Sequence, residues 1–566
     1  MADIPRLCKR ALTISDSCHR FCQVQRQLQF ALPLLVLCLT VCGTWRTSAA
    51  QTRPATSTTL AVTSGTGLAT SVTSGSVVTL TASVTATSAP VTVGQVNFCD
   101  ASVAYCTDIH RIGTAQLTSG GTAVVKFQPG LGSHSYKAVF SGTNSYLGST
   151  STVAALSVAG PTPSTMVVQT ASSSNASYNL TATVYGFGST APTGSISFTD
   201  ISDANAVLGT APLSVDTAGL NFLALQNVAS TGGASDGAGA IRIVTADFNG
   251  DGVPDLAALP YGVTAGYVTV LLGVGEENFK TVAASPATGE GPDAIVSADF
   301  NGDGIPDLAV ANGIANNITI LLGNGDGTFT ATSTSPATGS GPNAMITSDF
   351  NGDGIPDLAV VNGASNSLTI LLGNGDGSFT PTASTQQTGP APDFVATADF
   401  NGDGIADLAV LSNDSGTDTL TIYLGNGTGG FTLVTTGPGT GTAAAAIAIA
   451  DFNGDGIPDI AVANSVVNEN ESLDPTATVT VSVLQGNGDG TFQAESGTSF
   501  QSSTGAPADV LLVADFNNDG NPDLAVDLLS QDVRFPNSVA VLLGDGNSMY
   551  TATAISSETG LSPAPL

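Results

Sequence analysis

With 566 residues the chain exceeds what one hydrophobic core organises, so several domains are expected. It carries 45 acidic against 13 basic residues, a formal net charge of −32. That balance argues against a nucleic-acid partner, because phosphate binding needs clustered Lys and Arg.

The first 50 residues read as a secretory signal peptide. Lys9, Arg10, Arg20 and Arg26 precede an apolar run over 30–41, and the small residues Ser48, Ala49 and Ala50 stand before Gln51. The run is too short to cross a bilayer, so the expectation is export to the extracellular space or cell surface with no transmembrane span. Leu39-Thr-Val-Cys42 resembles a lipoprotein acylation site, but the bulky Val41 argues against it. Five cysteines, Cys8, Cys18, Cys22, Cys38 and Cys42, lie in this leader. The other two, Cys99 and Cys106, flank a turn and suit a local disulfide in an oxidising compartment, a better reading than metal binding by a lone pair.

From residue 51 to 160 the chain is rich in Thr, Ser, Val, Gly and Ala, with alternating apolar residues over 77–84, 94–98, 123–127 and 135–140. Short strands at such intervals predict a β-sandwich. The run from Tyr136 through Phe140 to Tyr146 resembles the closing strands of bacterial Ig-like domains, which implies a spacer role. Residues 161–230 repeat part of this pattern at 178–184 and 194–198, but 219–232 echoes the end of a later repeat. Two readings stay open for this segment: a truncated second Ig-like domain, or a degenerate seventh blade.

The nonapeptide Asp299-Phe-Asn-Gly-Asp-Gly-Ile-Pro-Asp307 organises the rest. Copies begin at Asp247, Asp299, Asp349, Asp399, Asp451 and Asp515, at intervals of 52, 50, 50, 52 and 64 residues. A period near fifty marks a repeat architecture. Positions 1, 3, 5 and 9 of each copy carry oxygen donors and position 6 is Gly, the spacing of a curled loop around a hard cation, with a main-chain carbonyl at position 7. The expected ligands are Asp247, Asn249, Asp251, Val253 and Asp255 in the first copy and Asp299, Asn301, Asp303, Ile305 and Asp307 in the second. Asp349, Asn351, Asp353, Ile355 and Asp357 form the third set, and Asp399, Asn401, Asp403, Ile405 and Asp407 the fourth. Asp451, Asn453, Asp455, Ile457 and Asp459 follow, and then Asp515, Asn517, Asp519, Asn521 and Asp523. The expected occupant is Ca²⁺, in up to six structural sites. Position 12 is an apolar residue such as Val310 where an EF-hand needs Glu, and the flanks are β-branched, so each loop joins two strands.

These units resemble the FG-GAP repeats of integrin-type β-propellers, also called VCBS-type repeats, over roughly residues 231–566. The resemblance implies an all-β chain: Ig-like β-sandwich followed by a β-propeller of six calcium-loop blades, six or seven blades in total. Each repeat is then one four-stranded blade, with the calcium loop between its first and second strands. Ala406 in place of Pro and Asn521 in place of an apolar residue are the departures. In such a meander the calcium loops share a face with the Gly-Asn-Gly-Asp-Gly turns at 323–327, 373–377 and 486–490. The opposite face takes the connections of variable length, short at 312–317 and 362–367, and long at 412–419, 464–478 and 527–537. Variable insertions on one face suggest a binding side, though solvated loops explain them equally well.

Catalytic equipment is sparse. No His follows His134, no Cys follows Cys106, and Arg242, Lys280 and Arg534 are the basic residues of the repeat region, which excludes Ser-His, Cys-His and His-zinc chemistry there. The chain is therefore expected to be a secreted, non-enzymatic binding or adhesion module for an extracellular protein or glycan. The alternatives are a lectin resting on Tyr261, Tyr267, Tyr423 and Tyr550, or a polysaccharide hydrolase or lyase using a carboxylate pair.

Overall fold

A computed structural model describes residues 53–552, apart from internal stretches of which 213–241 is the longest. The leader and the repeat-like stretch 219–232 lie outside the described residues.

Residues 54–159 form a two-sheet sandwich. In one sheet Val78–Ala86 pairs with Thr56–Ser64 on one side and Thr122–Phe127 on the other. The second sheet sets Arg111–Gln116, Gln95–Asp100, Gly132–Phe140 and Ala154–Ala159 side by side, and Ser71–Thr73 adds to the last of these in parallel. Strict alternation produces the two faces: Val78, Leu80, Ala82, Val84 and Ala86 are all buried, and the residues between them are half-exposed. They meet Val96, Phe98, Tyr136, Phe140 and Leu156 of the facing sheet. Cys99 and Cys106 are joined in a disulfide, their Cα atoms 5.5 Å apart. In the next segment Ser164–Ser172 pairs with Tyr178–Gly186, and Ser195–Asp200 with Ala206–Pro212. These are two separate two-stranded sheets, not one four-stranded sheet.

Among the described residues six antiparallel meanders follow, each with four strands in the order first to fourth. They are blade 1 (242–281), blade 2 (292–331), blade 3 (342–381), blade 4 (392–436), blade 5 (444–494) and blade 6 (508–552). In blades 3 and 5 a further short strand, Gln386–Gln387 and Thr498–Ser502, pairs with the third. In blade 3 the strands are Pro342–Ser348, Asp357–Asn362, Ser367–Gly373 and Phe379–Pro381. The first strand of each blade lies against the first strand of the next, which puts these strands innermost and makes the array a β-propeller.

Burial explains why apolar residues occupy both parities. Asp307–Asn312, the second strand of blade 2, is buried at every position. Leu308 and Val310 pack into the cluster shared with blade 1, and Ala309 and Ala311 into the one shared with blade 3. A single blade has no solvent face along this strand, so it can be stable only between neighbours.

Candidate functional site

Each copy of the nonapeptide closes the turn between the first and second strands of its blade, as the repeat pattern requires. In blade 2, Asp299 Oδ1 accepts the N–H groups of Gly302 and Asp303 at 2.7 and 3.1 Å, and its Oδ2 accepts that of Gly304 at 2.8 Å. Asn301 Oδ1 takes a second bond from Asp303 N–H, and Asp303 Oδ1 takes the Ile305 N–H at 2.8 Å. The same bonds from position 7 to position 5 hold Val253, Ile355, Ile405, Ile457 and Asn521. Gly302 and Gly304 have φ of 75° and 86°, so the loop curls around the carboxylate at its first position.

The acid at position 9 begins the second strand and has a different job. Asp307 is wholly buried. Its Oδ2 accepts Phe300 N–H and its Oδ1 accepts Gly323 N–H, both at 2.8 Å. Asp255, Asp357, Asp407, Asp459 and Asp523 repeat both bonds. The calcium-type loop is thereby latched to the end of the third strand. A Cβ at Gly323 would stand 2.4 Å from the Pro306 carbonyl oxygen, so glycine is needed for this approach.

Electrostatics mark the cluster. Burial pushes the Asp307 carboxyl up to about 7; the bonds from Gly323 and Phe300 oppose the rise, and the Asp299 and Asp303 charges add to it. Asp357 and Asp459 reach about 7, and Asp349 and Asp407 about 6, burial leading in each case. The loop's carboxylates, its Asn side-chain oxygen and its main-chain carbonyl make an all-oxygen donor set that would fit a hard cation such as Ca²⁺. Among the described residues, however, no three Asp, Glu, His or Cys side chains already form a finished metal cluster. The loop's own amides occupy carboxylate oxygens, and Asn301 Nδ2 donates to Asp303 Oδ2 at 2.9 Å. Binding therefore requires these oxygens to gather around the ion.

Position 2 was not among the residues expected to matter. Phe248, Phe300, Phe350, Phe400 and Phe452 are almost fully buried. They meet Phe329, Phe379, Phe431, Phe492 and Tyr550 of the following blade edge-on, with centroids 5.3 to 6.1 Å apart. The carbonyls of the same phenylalanines accept the N–H groups of Gly327, Gly377, Gly429, Gly490 and Ser548, again from the following blade. Gly327, at φ 82°, leaves no room for a Cβ because Leu272 of blade 1 lies against it. Each of the first five loops is thus clasped by the next blade's turn between third and fourth strands. The signal was present in the sequence as an aromatic residue at a fixed place in both turns.

On the opposite face the connections are tied down as well. Asn316 Oδ1 accepts Gly341 N–H at 2.7 Å, Asn366 Oδ1 accepts Ala391 N–H at 2.9 Å, and Asp418 Oδ2 accepts Ala444 N–H at 2.6 Å, each reaching the entrance of the next blade. The long connections of blades 4 and 5 are largely strand, because pairing continues to Asp414↔Thr417 and Asn468↔Thr476. Residues 469–475 and 529–537 lie outside the described residues. Of the tyrosines suggested as a sugar platform, Tyr423 and Tyr550 are buried between blades, and Tyr423 donates to the Gln387 carbonyl at 2.8 Å. Tyr267 is half-buried and Tyr261 lies outside the described residues.

The fold and its loops define a β-propeller repeat protein. Models of known families place it further: the FG-GAP-like repeat matches residues 247–310, 299–360, 349–410, 399–462 and 467–526, and the FG-GAP repeat matches 443–484. The bacterial Ig-like domain of group 3 matches 65–159. The chain is an FG-GAP-repeat protein with a bacterial Ig-like domain. No curated protein matches it. Solved structures similar to it include a triple Arg-to-Ala mutant of AofleA from Arthrobotrys oligospora, at 12% identity and TM-score 0.34, covering 57% of this chain and 94% of that one. Dihydro-heme d1 dehydrogenase NirN aligns at 12% identity and TM-score 0.30, over 59% of this chain and 78% of the other. Neither likeness is close enough to carry an argument about function.

Proposed function

We propose that the chain is a calcium-loaded extracellular binding or adhesion module, non-catalytic, whose ions are structural and whose ligand is a protein or glycan held on the face opposite the calcium loops. The observation that carries the metal reading is the sixfold recurrence of a curled loop with three carboxylates and oxygen donors at positions 1, 3, 5 and 9. Asp299, Asn301, Asp303, Asp307 and the Ile305 carbonyl would hold the ion in blade 2, and their counterparts would do so elsewhere. A bound cation supplies the attraction that these carboxylates lack.

Support for the opposite face is the variation in length of its hairpins, set against the uniform loops on the calcium side. The buried state of Tyr423 and Tyr550 weakens the sugar-platform alternative. Titration calorimetry of chelator-treated protein with Ca²⁺ is the direct test. The expected result is up to six ions per chain, and no heat at millimolar Ca²⁺ would remove the reading. Binding screens on glycan and extracellular-matrix protein arrays, repeated with hairpin-tip variants of blades 4 and 5, test the ligand face.

A further inference from the structure

The calcium-type loops are not equally open. Gly252 and Gly354, at position 6 of the first and third copies, are buried, whereas Gly304, Gly404 and Gly520 are exposed at the same position. Asp353 is half-buried where Asp251, Asp303, Asp403, Asp455 and Asp519 are exposed, so the third loop is the more deeply covered of the two. The cover comes from the Ig-like domain. Asn144 N–H donates to the Gly352 carbonyl and Asn144 Nδ2 to the Asn351 carbonyl, both at 2.6 Å. Gln116 Nε2 donates to the Gly354 carbonyl and Lys126 Nζ to the Gly250 carbonyl. Gly94 and Thr143 lie over Gly354, and Val77 lies over Gly252. The short turn Asp108–His110 meanwhile sits against the innermost strands of blades 5 and 6.

Charge favours the seat. The Ig-like region, 51–160, holds four of the seven basic residues that follow the leader, Arg53, Arg111, Lys126 and Lys137, and two of the 43 acidic ones, Asp100 and Asp108. It is a mildly basic cap on a strongly acidic disc. The seat also depends on the loop's fold. The Gly352 and Gly354 amides turn inward onto Asp349 Oδ1 and Oδ2, each at 2.7 Å, while the carbonyls of the same residues accept from the cap. The same turn thus carries the carboxylate bonds inside and the carbonyl bonds to the cap outside, so an ion that gathers the carboxylates repositions the carbonyls on which the cap rests.

We propose that the Ig-like domain is a calcium-dependent cap on the propeller, which divides the sites into two guarded ones, in the loops at 247–255 and 349–357, and four open ones. The inference rests on the calcium reading above. Ion release from the guarded loops then follows undocking of the cap, and removal of Ca²⁺ frees the cap.

The test uses the full chain after leader removal, loaded with Ca²⁺ alone. Stoichiometry comes from calorimetry, release rates from stopped-flow mixing with a fluorescent chelator, and overall dimensions from solution X-ray scattering with and without chelator. Release is expected in two phases, two ions at least about fivefold slower than the other four, the low end of ordinary site-to-site coupling. Scattering is expected to show expansion once calcium is removed. The variant Gln116→Ala/Lys126→Glu/Asn144→Ala should bind the same number of ions, release all of them in the fast phase, and be expanded even with calcium. Lys126→Glu alone, at an exposed position, gives an intermediate point, and an unchanged Ig-like melting transition verifies folding of both variants. Full stoichiometry with a single release phase in the parent chain, or a triple variant as compact and as slow as the parent, overturns the cap while leaving the calcium reading intact. Absence of calcium binding overturns both.

Discussion

The Ig-like sandwich and the propeller are both all-β, yet they hold together by different means. In the sandwich, Val78–Ala86 hides alternate side chains and leaves the others half-exposed, and the core belongs to one domain. In the propeller, Asp307–Asn312 hides every side chain, and its clusters belong to pairs of blades. The sandwich is locally complete and adds a disulfide. A blade is incomplete alone and borrows an aromatic edge, a hydrogen bond and half a core from its neighbour. Two β folds from one chain can therefore be expected to fail independently and by different insults.

Four experiments press on that contrast. On the calcium reading proposed above, removal of Ca²⁺ should have the largest effect: each site filled a hundredfold above its dissociation constant would add about 2.7 kcal/mol. Differential scanning calorimetry with chelator should lower the propeller transition by many degrees and leave the Ig-like core transition in place; equal shifts would break the comparison. Next, Phe350→Ala opens the contact with Phe431 and should cost the propeller about 3–5 kcal/mol, read by denaturant unfolding, while Leu80→Ala should cost only the sandwich about 2–5 kcal/mol. Third, the double change Cys99→Ser/Cys106→Ser should destabilise the sandwich alone by about 2–3 kcal/mol, the chain-entropy value for so short a loop. The smallest effect is expected at Tyr550. Its buried hydroxyl finds no hydrogen-bond partner among the described residues, so Tyr550→Phe, matching the Phe of the other blades, should be neutral or stabilising by up to about 1 kcal/mol.

Much of this was legible beforehand because repetition amplifies weak signals. One Asp-rich turn is ambiguous, but six copies at a steady spacing fix the loop, its place between two strands and the period of the blades. In blade 3 the apolar runs at 344–346, 358–361 and 368–372 fall within its first three strands. The clasp at Phe350 was harder to see, because its partners Gly429 and Phe431 lie in the next repeat and nothing local announces a contact 79 and 81 residues away. The double latch of Asp307 was hidden for a related reason: its type and position look like those of a metal ligand, and the bond to Gly323 needs the third strand in place. The long connections at 412–419 and 464–478 read as loops because Ser, Asn, Asp and Thr fill them. The ladder extends into their described residues nonetheless, where Asp418, Asn464 and Ser465 are buried and hydrogen-bonded to the chain leading into the next blade.

The clasp runs one way along the array: each of the first five nonapeptides offers a phenylalanine and a carbonyl forward, and the turn of the next blade answers backward. Such handed, nearest-neighbour joints tolerate duplication, since an inserted unit with the same two ends satisfies both the one before and the one after.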